Sequence, residues 1–339
     1  MLNTVYIRPF QKKKCKNTFF LYFRGRFKTI ALRRKKHIWI YGLLACLWFV
    51  GCQREIDLNL PDYQPKLVIE GTIESGRPAM VMVSKSIPYF KEVTFNYLMD
   101  SVLVTNNDAR VFITSETGET EELKWRMTPE LPYRMGFVGS KVIGRDETHY
   151  TLRVEYDGKT YTAETYIPKS FDLDSIWFDQ SAEILNETQA TIRMLLTDNA
   201  DEENYYAFLC KVQCPTRRDR MWISGLPVAF DDRTFNGLTF NYELTRAGYS
   251  RIMLGMLSEE EQEGFTRLTF RPGDTVYVKH TQIDYHTYKY LLSAGTESAF
   301  GSNPFTNPLP AYTNFDSEDV LGHWSGFAAK IDTIVWWTH

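Results

Sequence analysis

The stretch Tyr150–Ile167, YTLRVEYDGKTYTAETYI, decides how the rest of the chain is read. Two runs in which aromatic and aliphatic residues recur at every second position flank the pair Asp157-Gly158. A two-residue loop needs positive φ at both central positions, and Asp followed by Gly meets that need at least cost, so the stretch predicts a tight antiparallel hairpin. Leu152, Val154 and Tyr156 then face one way, opposed by Tyr161, Ala163 and Thr165 or their neighbours.

The same pattern recurs upstream. Leu67–Ile73 and Ala79–Val83 flank a Ser75-Gly76 turn, and Ala109–Thr114 and Glu121–Trp125 flank Glu116-Thr117-Gly118. Some seven strands within residues 66–168 predict an immunoglobulin-like β-sandwich, without the cysteine pair of antibody domains. Ile167-Pro168-Lys169 closes that domain, and residues 169–339 are expected to form a second β-rich domain. Its strand character falls on Ala190–Leu196, Tyr205–Cys214, Leu238–Leu244, Arg267–Phe270, Thr275–Thr281 and Phe327–Trp336, with Arg271-Pro272-Gly273-Asp274 as a turn. One helix is expected over Ile283–Ser293, with Tyr288, Leu291 and Leu292 on a shared face, and Ser258–Glu261 reads as a capping box or an acidic loop. The expected class is therefore mainly β, with one or two short helices.

Ahead of this body, Arg33-Arg34-Lys35-Lys36 precedes Ile38–Cys52, IWIYGLLACLWFVGC. A basic cluster, about a dozen apolar residues and a small-residue ending have the layout of a secretory signal peptide. The run falls short of the roughly 20 apolar residues of a spanning helix. Val50-Gly51-Cys52 resembles a bacterial lipobox, with Phe49 where leucine is usual. Cys52 is thus the expected site of lipid attachment (palmitate) and of cleavage. Residues 33–51 form the signal, 52–65 a polar tether, and 1–32 a basic extension lying before the true start of translation, near Leu32.

Of 39 Lys and Arg, 12 precede Cys52 and none of the 42 Asp and Glu do, so the remainder carries 27 basic against 42 acidic residues, a net of −15. An acidic body argues against nucleic acid as a partner. Cys210 and Cys214 are the cysteines left beyond Cys52. Four residues apart along a strand they stand about 13 Å from each other, beyond disulfide reach, so buried thiols are expected.

Glu55–Ser86, EIDLNLPDYQPKLVIEGTIESGRPAMVMVSKS, resembles the Bacteroidota outer-membrane lipoprotein family known as domain of unknown function 4249. Tyr150–Pro168, the Phe235-Asn236-Gly237 turn, Arg271–Val278 with the tyrosine-rich helix after it, and Asn303–Phe327 agree with that family, although Asp316–Val320 replaces its glycine-rich turn. The resemblance implies an outer-membrane lipoprotein, often encoded near a TonB-dependent receptor, and carries no catalytic residues to transfer.

No G-x-S-x-G, H-E-x-x-H, phosphate-binding or dinucleotide-binding motif stands in a suitable context. No catalytic residue, metal ligand or cofactor is therefore expected. His280, Asp284 and His286 lie close in sequence, but they straddle a strand end and a helix start, and capping or polar surface is the preferred reading over metal. Asp231-Asp232 reads as solvated loop charge. Asp100-Ser101-Val102, Asp174-Ser175-Ile176, Asp274-Thr275-Val276 and Asp332-Thr333-Ile334 resemble a short O-glycosylation motif.

Long loops carry aromatic residues: Tyr89, Phe90, Phe95, Tyr97, Tyr133, Phe305, Tyr312 and Phe315 form the expected binding surface, because rings on loops give contact area with few rotamers to freeze. The leading expectation is a non-enzymatic outer-membrane lipoprotein, possessing a lipid on Cys52 and acting as partner or ligand-capturing accessory of a TonB-dependent transporter. The alternatives are a surface adhesion or glycan-binding module and, behind it, a hydrolase with an unrecognised site.

Overall fold

In the computed structural model, residues 63–88, 91, 94–127, 135–180, 189–214, 217–218, 222–245, 269–300 and 311–337 are described. The Asp157-Gly158 turn forms as its residue types require, with φ of 48° and 71°. Its register sets Leu152 beside Ala163 and Val154 beside Tyr161, and all four are buried. Nothing lies within 4 Å of the Cβ that a side chain at Gly158 would add, so substitution there carries a conformational cost alone. Gly158→Ala is expected to lower the unfolding free energy by about 1–2 kcal/mol in urea titration.

Seven strands fill the first half: β1 (Leu67–Glu74), β2 (Pro78–Lys85), β3 (Ala109–Ser115), β4 (Thr120–Met127), β5 (Met135–Ile143), β6 (Thr148–Tyr156) and β7 (Lys159–Ile167). The second half holds β8 (Ser175–Asp179), β9 (Thr191–Thr197), β10 (Tyr205–Cys214), the short β11 (Arg217–Arg218), β12 (Ile223–Ser224) and β13 (Phe230–Asp231), then β14 (Thr239–Leu244), β15 (Thr275–Ile283) and β16 (Val320–Val335). Among the described residues strands account for 58% and helix for 9%, so the mainly β class holds.

A large mixed sheet runs in the order β11-β10-β15-β16-β1-β2-β5-β4-β3-β6-β7, and β14-β9-β8 form a small second sheet. The domain break expected after Ile167 does not divide the large sheet, which draws strands from both sides of it. β16 inserts between the halves: its N-terminal portion pairs in parallel with β1, Leu67 beside Val320 through Glu74 beside Phe327, and its C-terminal portion pairs antiparallel with β15. All described residues fall within one compact unit, Asp62–His339.

The large sheet curls so that β7 comes close to β16. Asn314 Nδ2 donates to the carbonyls of both Glu164 and Trp324, and a Cβ on Gly326 would meet the Tyr166 carbonyl oxygen at 2.5 Å. Enclosed by the curl is a first core that includes Ile69, Ile73, Val81, Ile113, Leu152, Val154 and Trp324. A second core, with Ile192, Met194, Phe208, Cys210, Phe270 and Val278, lies between β10, β15 and the small sheet. Alternation along β10 buries Phe208, Cys210 and Val212 together.

The helix runs Tyr285–Phe300. It starts where Asp284 Oδ1 accepts the Thr287 backbone N–H at 2.6 Å, an N-cap that satisfies a donor left free by helix geometry. Tyr288 and Leu291 pack on Ala207, Ala229 and Ile283 as their shared face requires. Leu292 departs from that expectation and is 39% exposed, because residues 288, 291 and 295 already fill the inward stripe and 292 turns past its edge. The second helical element lies at Phe95–Tyr97, continuing as a π-turn over Leu98–Val102. Ser258–Glu261 lies outside the described residues.

Candidate functional site

Alternation gives every strand two rows, and on β1, β16 and β15 the row turned away from the cores is polar. Ile69, Gly71 and Ile73 of β1 point to the first core's side, which leaves Glu70, Thr72 and Glu74 on the other side. On β16 Trp324 and Ala328 enter the first core, so His323, Ser325 and Phe327 face opposite. On β15 Val276 and Val278 enter the second core, and Lys279, Thr281 and Ile283 face opposite. The parallel register then sets Glu70 beside His323 and Thr72 beside Ser325.

This row is buried. Lys279, Thr281, Thr287, His323 and Ser325 are each at most 3% exposed. The helix supplies some of the cover: the Tyr290 ring stacks on His323 with centroids 4.8 Å apart and planes at 10°, and its hydroxyl donates to Glu70 Oε1 at 3.1 Å. Lys279 Nζ donates to both Glu74 oxygens at 2.6 and 2.7 Å and lies 4.6 Å from the Trp222 ring centroid. His323 Nδ1 lies 2.9 Å from Ser325 Oγ. Among the described residues, the buried His323 Nε2 and Thr287 Oγ1 have no hydrogen-bond partner.

Burial sets the charge states. It pushes the His323 pKa down to about 3, helped by repulsion from His286, so the imidazole is neutral at physiological pH. Burial raises the Glu70 carboxyl above its ordinary 4.5, against the opposing hydrogen bond from Tyr290, and burial with the neighbouring Glu70 raises the Tyr290 hydroxyl. An acid with a raised folded-state pKa binds more protons folded than unfolded, so its contribution falls as pH rises above about 4.5 and through the folded pKa. Glu70→Gln is expected to flatten the pH dependence of stability in that window and to raise the melting midpoint at pH 7 relative to the parent, as read by calorimetry across pH.

An aromatic margin adjoins the polar row. Exposed His286 stacks on Tyr312, with centroids 5.8 Å apart, and its Nδ1 pairs with the Tyr312 hydroxyl. Tyr312 lies in turn 6.0 Å from His323. Lys289 Nζ sits 4.5 Å from the Tyr312 centroid and 5.3 Å from that of Tyr285, and Tyr205 adjoins Tyr285 and Tyr288.

Of the aromatic residues expected to bind, Tyr312 stands at this margin. Tyr97 is half-buried elsewhere, with Lys91 Nζ 5.1 Å from its ring centroid, and Phe95 opens the same short helix. Phe315 is a correction. It is buried in the first core, because its backbone bridges to Ala163 of β7 and so carries the ring inward. Tyr89, Phe90, Tyr133, Phe305 and Cys52, the expected lipid acceptor, lie outside the described residues.

His280, Asp284 and His286 do not converge. His280 is on the opposite face of β15, with Nε2 3.0 Å from Asp332 and Phe171 against its ring, and burial lowers its pKa against the pull of Asp332. Asp284 caps the helix and accepts from Thr165 Oγ1 and Tyr166 N, both at 3.1 Å. Among the described residues no group of three or more His, Cys, Asp or Glu side chains is placed to hold a metal ion. Asp231-Asp232 is a second correction. Asp232 is buried and accepts the Asn204 backbone N–H at 2.8 Å, while Asp231 accepts from the Tyr288 hydroxyl at 2.9 Å. Turn carboxylates here replace missing backbone partners, where consecutive acids in sequence look solvated.

The polar row itself carries no distinguishing mark in the sequence. Val68-x-Glu70-x-Thr72-x-Glu74 and Tyr277-x-Lys279-x-Thr281 have the ordinary look of a solvent-facing edge of alternation.

The family model described as "Domain of unknown function (DUF4249)" matches residues 53–330. The chain belongs to this family. The DUF4249 match spans every strand from β1 through most of β16, and so contains the whole polar row and the helix over it. No curated protein matches the chain.

Proposed function

We propose that this DUF4249 protein is a Bacteroidota outer-membrane lipoprotein, anchored through lipid on Cys52, that captures a ligand for a TonB-dependent transporter and catalyses no reaction itself. The observation that carries the capture reading is the polar row of half-buried Glu70 and buried His323 and Ser325 beneath the helix, with buried Thr287 on the helix itself. Polar groups on a rigid sheet, bordered by Tyr290 and Tyr312, are the chemistry of a binding site, and polar side chains buried where apolar ones would stabilise more are a mark of function. The anchor is supported by the lipobox-like Val50-Gly51-Cys52 and by a family match that begins at residue 53, directly after the proposed lipid acceptor.

The test is cross-linking in native outer membranes followed by purification of the tagged, lipidated protein. A β-barrel receptor should co-purify in stoichiometric amount, and Cys52→Ser should abolish both incorporation of a palmitate analogue and membrane retention. Recovery of the protein alone from cross-linked membranes would defeat the transporter partnership, and unchanged labelling of Cys52→Ser would defeat the anchor.

A further inference from the structure

We infer that the C-terminal half of β16 is a docking edge for a second copy of this chain, the two strands pairing antiparallel about a twofold axis at Thr333. The inference is independent of ligand capture and of the transporter.

β16 has 16 residues where β1 has 8, and β1 accompanies it only from Val320 to Phe327. β15 lies along the opposite side of β16 from Phe327 to Val335. From Ala329 onward, therefore, one edge of β16 has no neighbouring strand among the described residues. Hydrogen bonds at either end show which groups stand on that edge. Trp336 donates its N–H to the Asp274 carbonyl at 2.9 Å and accepts from the Gly273 N–H at 2.8 Å, so even-numbered residues turn toward β15. The Phe327 carbonyl accepts the Ser75 N–H at 3.0 Å, so odd-numbered residues turn toward the side of β1. Past the end of β1 the N–H and C=O of Ala329, Ile331, Thr333 and Val335 point the same way, and among the described residues no backbone group meets them. Approach is open, since Thr333 is exposed and Ile331 is 42% exposed.

A row of unpaired backbone groups is a template for another strand, and folded chains ordinarily guard it with charge, proline or a bulge. The stretch Ala329–Val335, AKIDTIV, has no proline, and its register with β15 runs without a break. Its two charges are engaged within the molecule: Lys330 Nζ donates to Asp172 at 2.6 Å, and Asp332 Oδ2 lies 3.0 Å from His280 Nε2. Both belong to the even row, which carries Ile334 against the second core and Trp336 against Phe178. The odd row, continued past the strand to Trp337, is uncharged.

Self-complementarity identifies the occupant. With Thr333 opposite its own copy, Ile331 of each chain faces Val335 of the other and Ala329 faces Trp337. Hydroxyl then meets hydroxyl, branched side chain meets branched side chain, and the largest residue of the row meets the smallest. On the even row the same register sets Asp332 opposite Ile334 and Lys330 opposite Trp336, so no like charges meet. The ladder begins at Ala329, past the end of β1, and covers both Ile331 and the 74% exposed Trp337. A twofold contact of this kind uses one patch on both copies and closes at two.

The experiment is sedimentation velocity of the full lipidated protein in detergent over a wide concentration range, with amide hydrogen exchange on the same samples. The protein mass is expected to rise from one copy to two with concentration, and exchange at Ile331, Thr333 and Val335 to slow in step. Thr333→Lys, a change at an exposed side chain that sets like charges face to face across the axis, should weaken association about tenfold or more and leave the stability of the dilute protein as it is. Trp337→Ala should likewise weaken association without altering the dilute protein. Thr333→Cys treated with diamide should give a disulfide-linked dimer that the parent does not, because opposed Cα atoms of a hydrogen-bonded antiparallel pair stand about 5.5 Å apart, within disulfide reach. A single-copy mass at every concentration, or a dimer indifferent to Thr333→Lys, would overturn the inference. So would slowed exchange at a single-copy mass, which would assign the edge to a strand of another protein.

Discussion

Trp324→Ala is expected to lower the unfolding free energy by about 3–5 kcal/mol, the range for deleting a buried large aromatic side chain. Trp324 is fully buried in the first core. Its indole Nε1 donates to the Tyr150 carbonyl at 3.0 Å, so truncation both opens a cavity and strips a buried acceptor. The ring also explains Gly71 on the adjoining strand: a Cβ there would stand 2.6 Å from Trp324 Cε3. Gly71→Ala should therefore destabilise by overpacking, about 1–3 kcal/mol, while Trp337→Ala, at a side chain 74% exposed, should change stability by no more than about 0.5 kcal/mol. Urea titration of the three variants checks the series. A Trp324→Ala protein within about 1 kcal/mol of the parent would mean that β16 does not seal the first core.

The second large effect is expected at the Lys279–Glu74 pair. The lysine side chain is 4% exposed and the carboxylate 21%, so the members are unequally shielded. Removing the carboxylate strands an ammonium in the interior, and Glu74→Ala should cost about 3–5 kcal/mol. Lys279→Met should cost less, since water reaches Glu74 and the methionine keeps the aliphatic packing against Trp222. The double change Glu74→Leu with Lys279→Met should be less destabilising than Glu74→Ala alone, because no charge is then left buried. Equal losses for the two single variants, read from denaturation at two salt concentrations, would show instead that the pair is solvated.

Much of the β framework is legible in the residues. The hairpins at Ser75-Gly76, Glu116–Gly118 and Asp157-Gly158 are local: turn residues able to adopt positive φ stand between alternating runs, and the glycines take φ of 73°, 84° and 71°. Tyr205–Cys214 forms a strand over its whole expected length because its alternation is uninterrupted. Errors arise where a neighbour distant in sequence intervenes. The helix extends to Phe300 rather than ending near Ser293, and Phe315 leaves the expected loop surface because β7 lies beside it. Among the residues that meet around His323, Tyr312 alone is marked as a binding residue by the sequence. A histidine in a strand carries no local sign of the helix that will cover it.

Sequence by itself determined the paired strands around the three hairpin turns, β10 and β15, and which of their residues share a face, since pleating imposes a period of two and turn chemistry acts over a few residues; β5, β8 and the first half of β16 carried no such signal. It also determined the acidic body and the apolar run before Cys52, which are matters of composition alone. Only the tertiary structure decided that Lys279, Thr281, His323 and Ser325 of the polar row are interior. That outcome depends on β16 entering between β1 and β15 and on Tyr290 lying over the seam. Alternation states which side chains travel together but not what will cover them, and the pairing of Leu67 with Val320 is fixed by cooperative burial over a long loop closure, which no short stretch encodes.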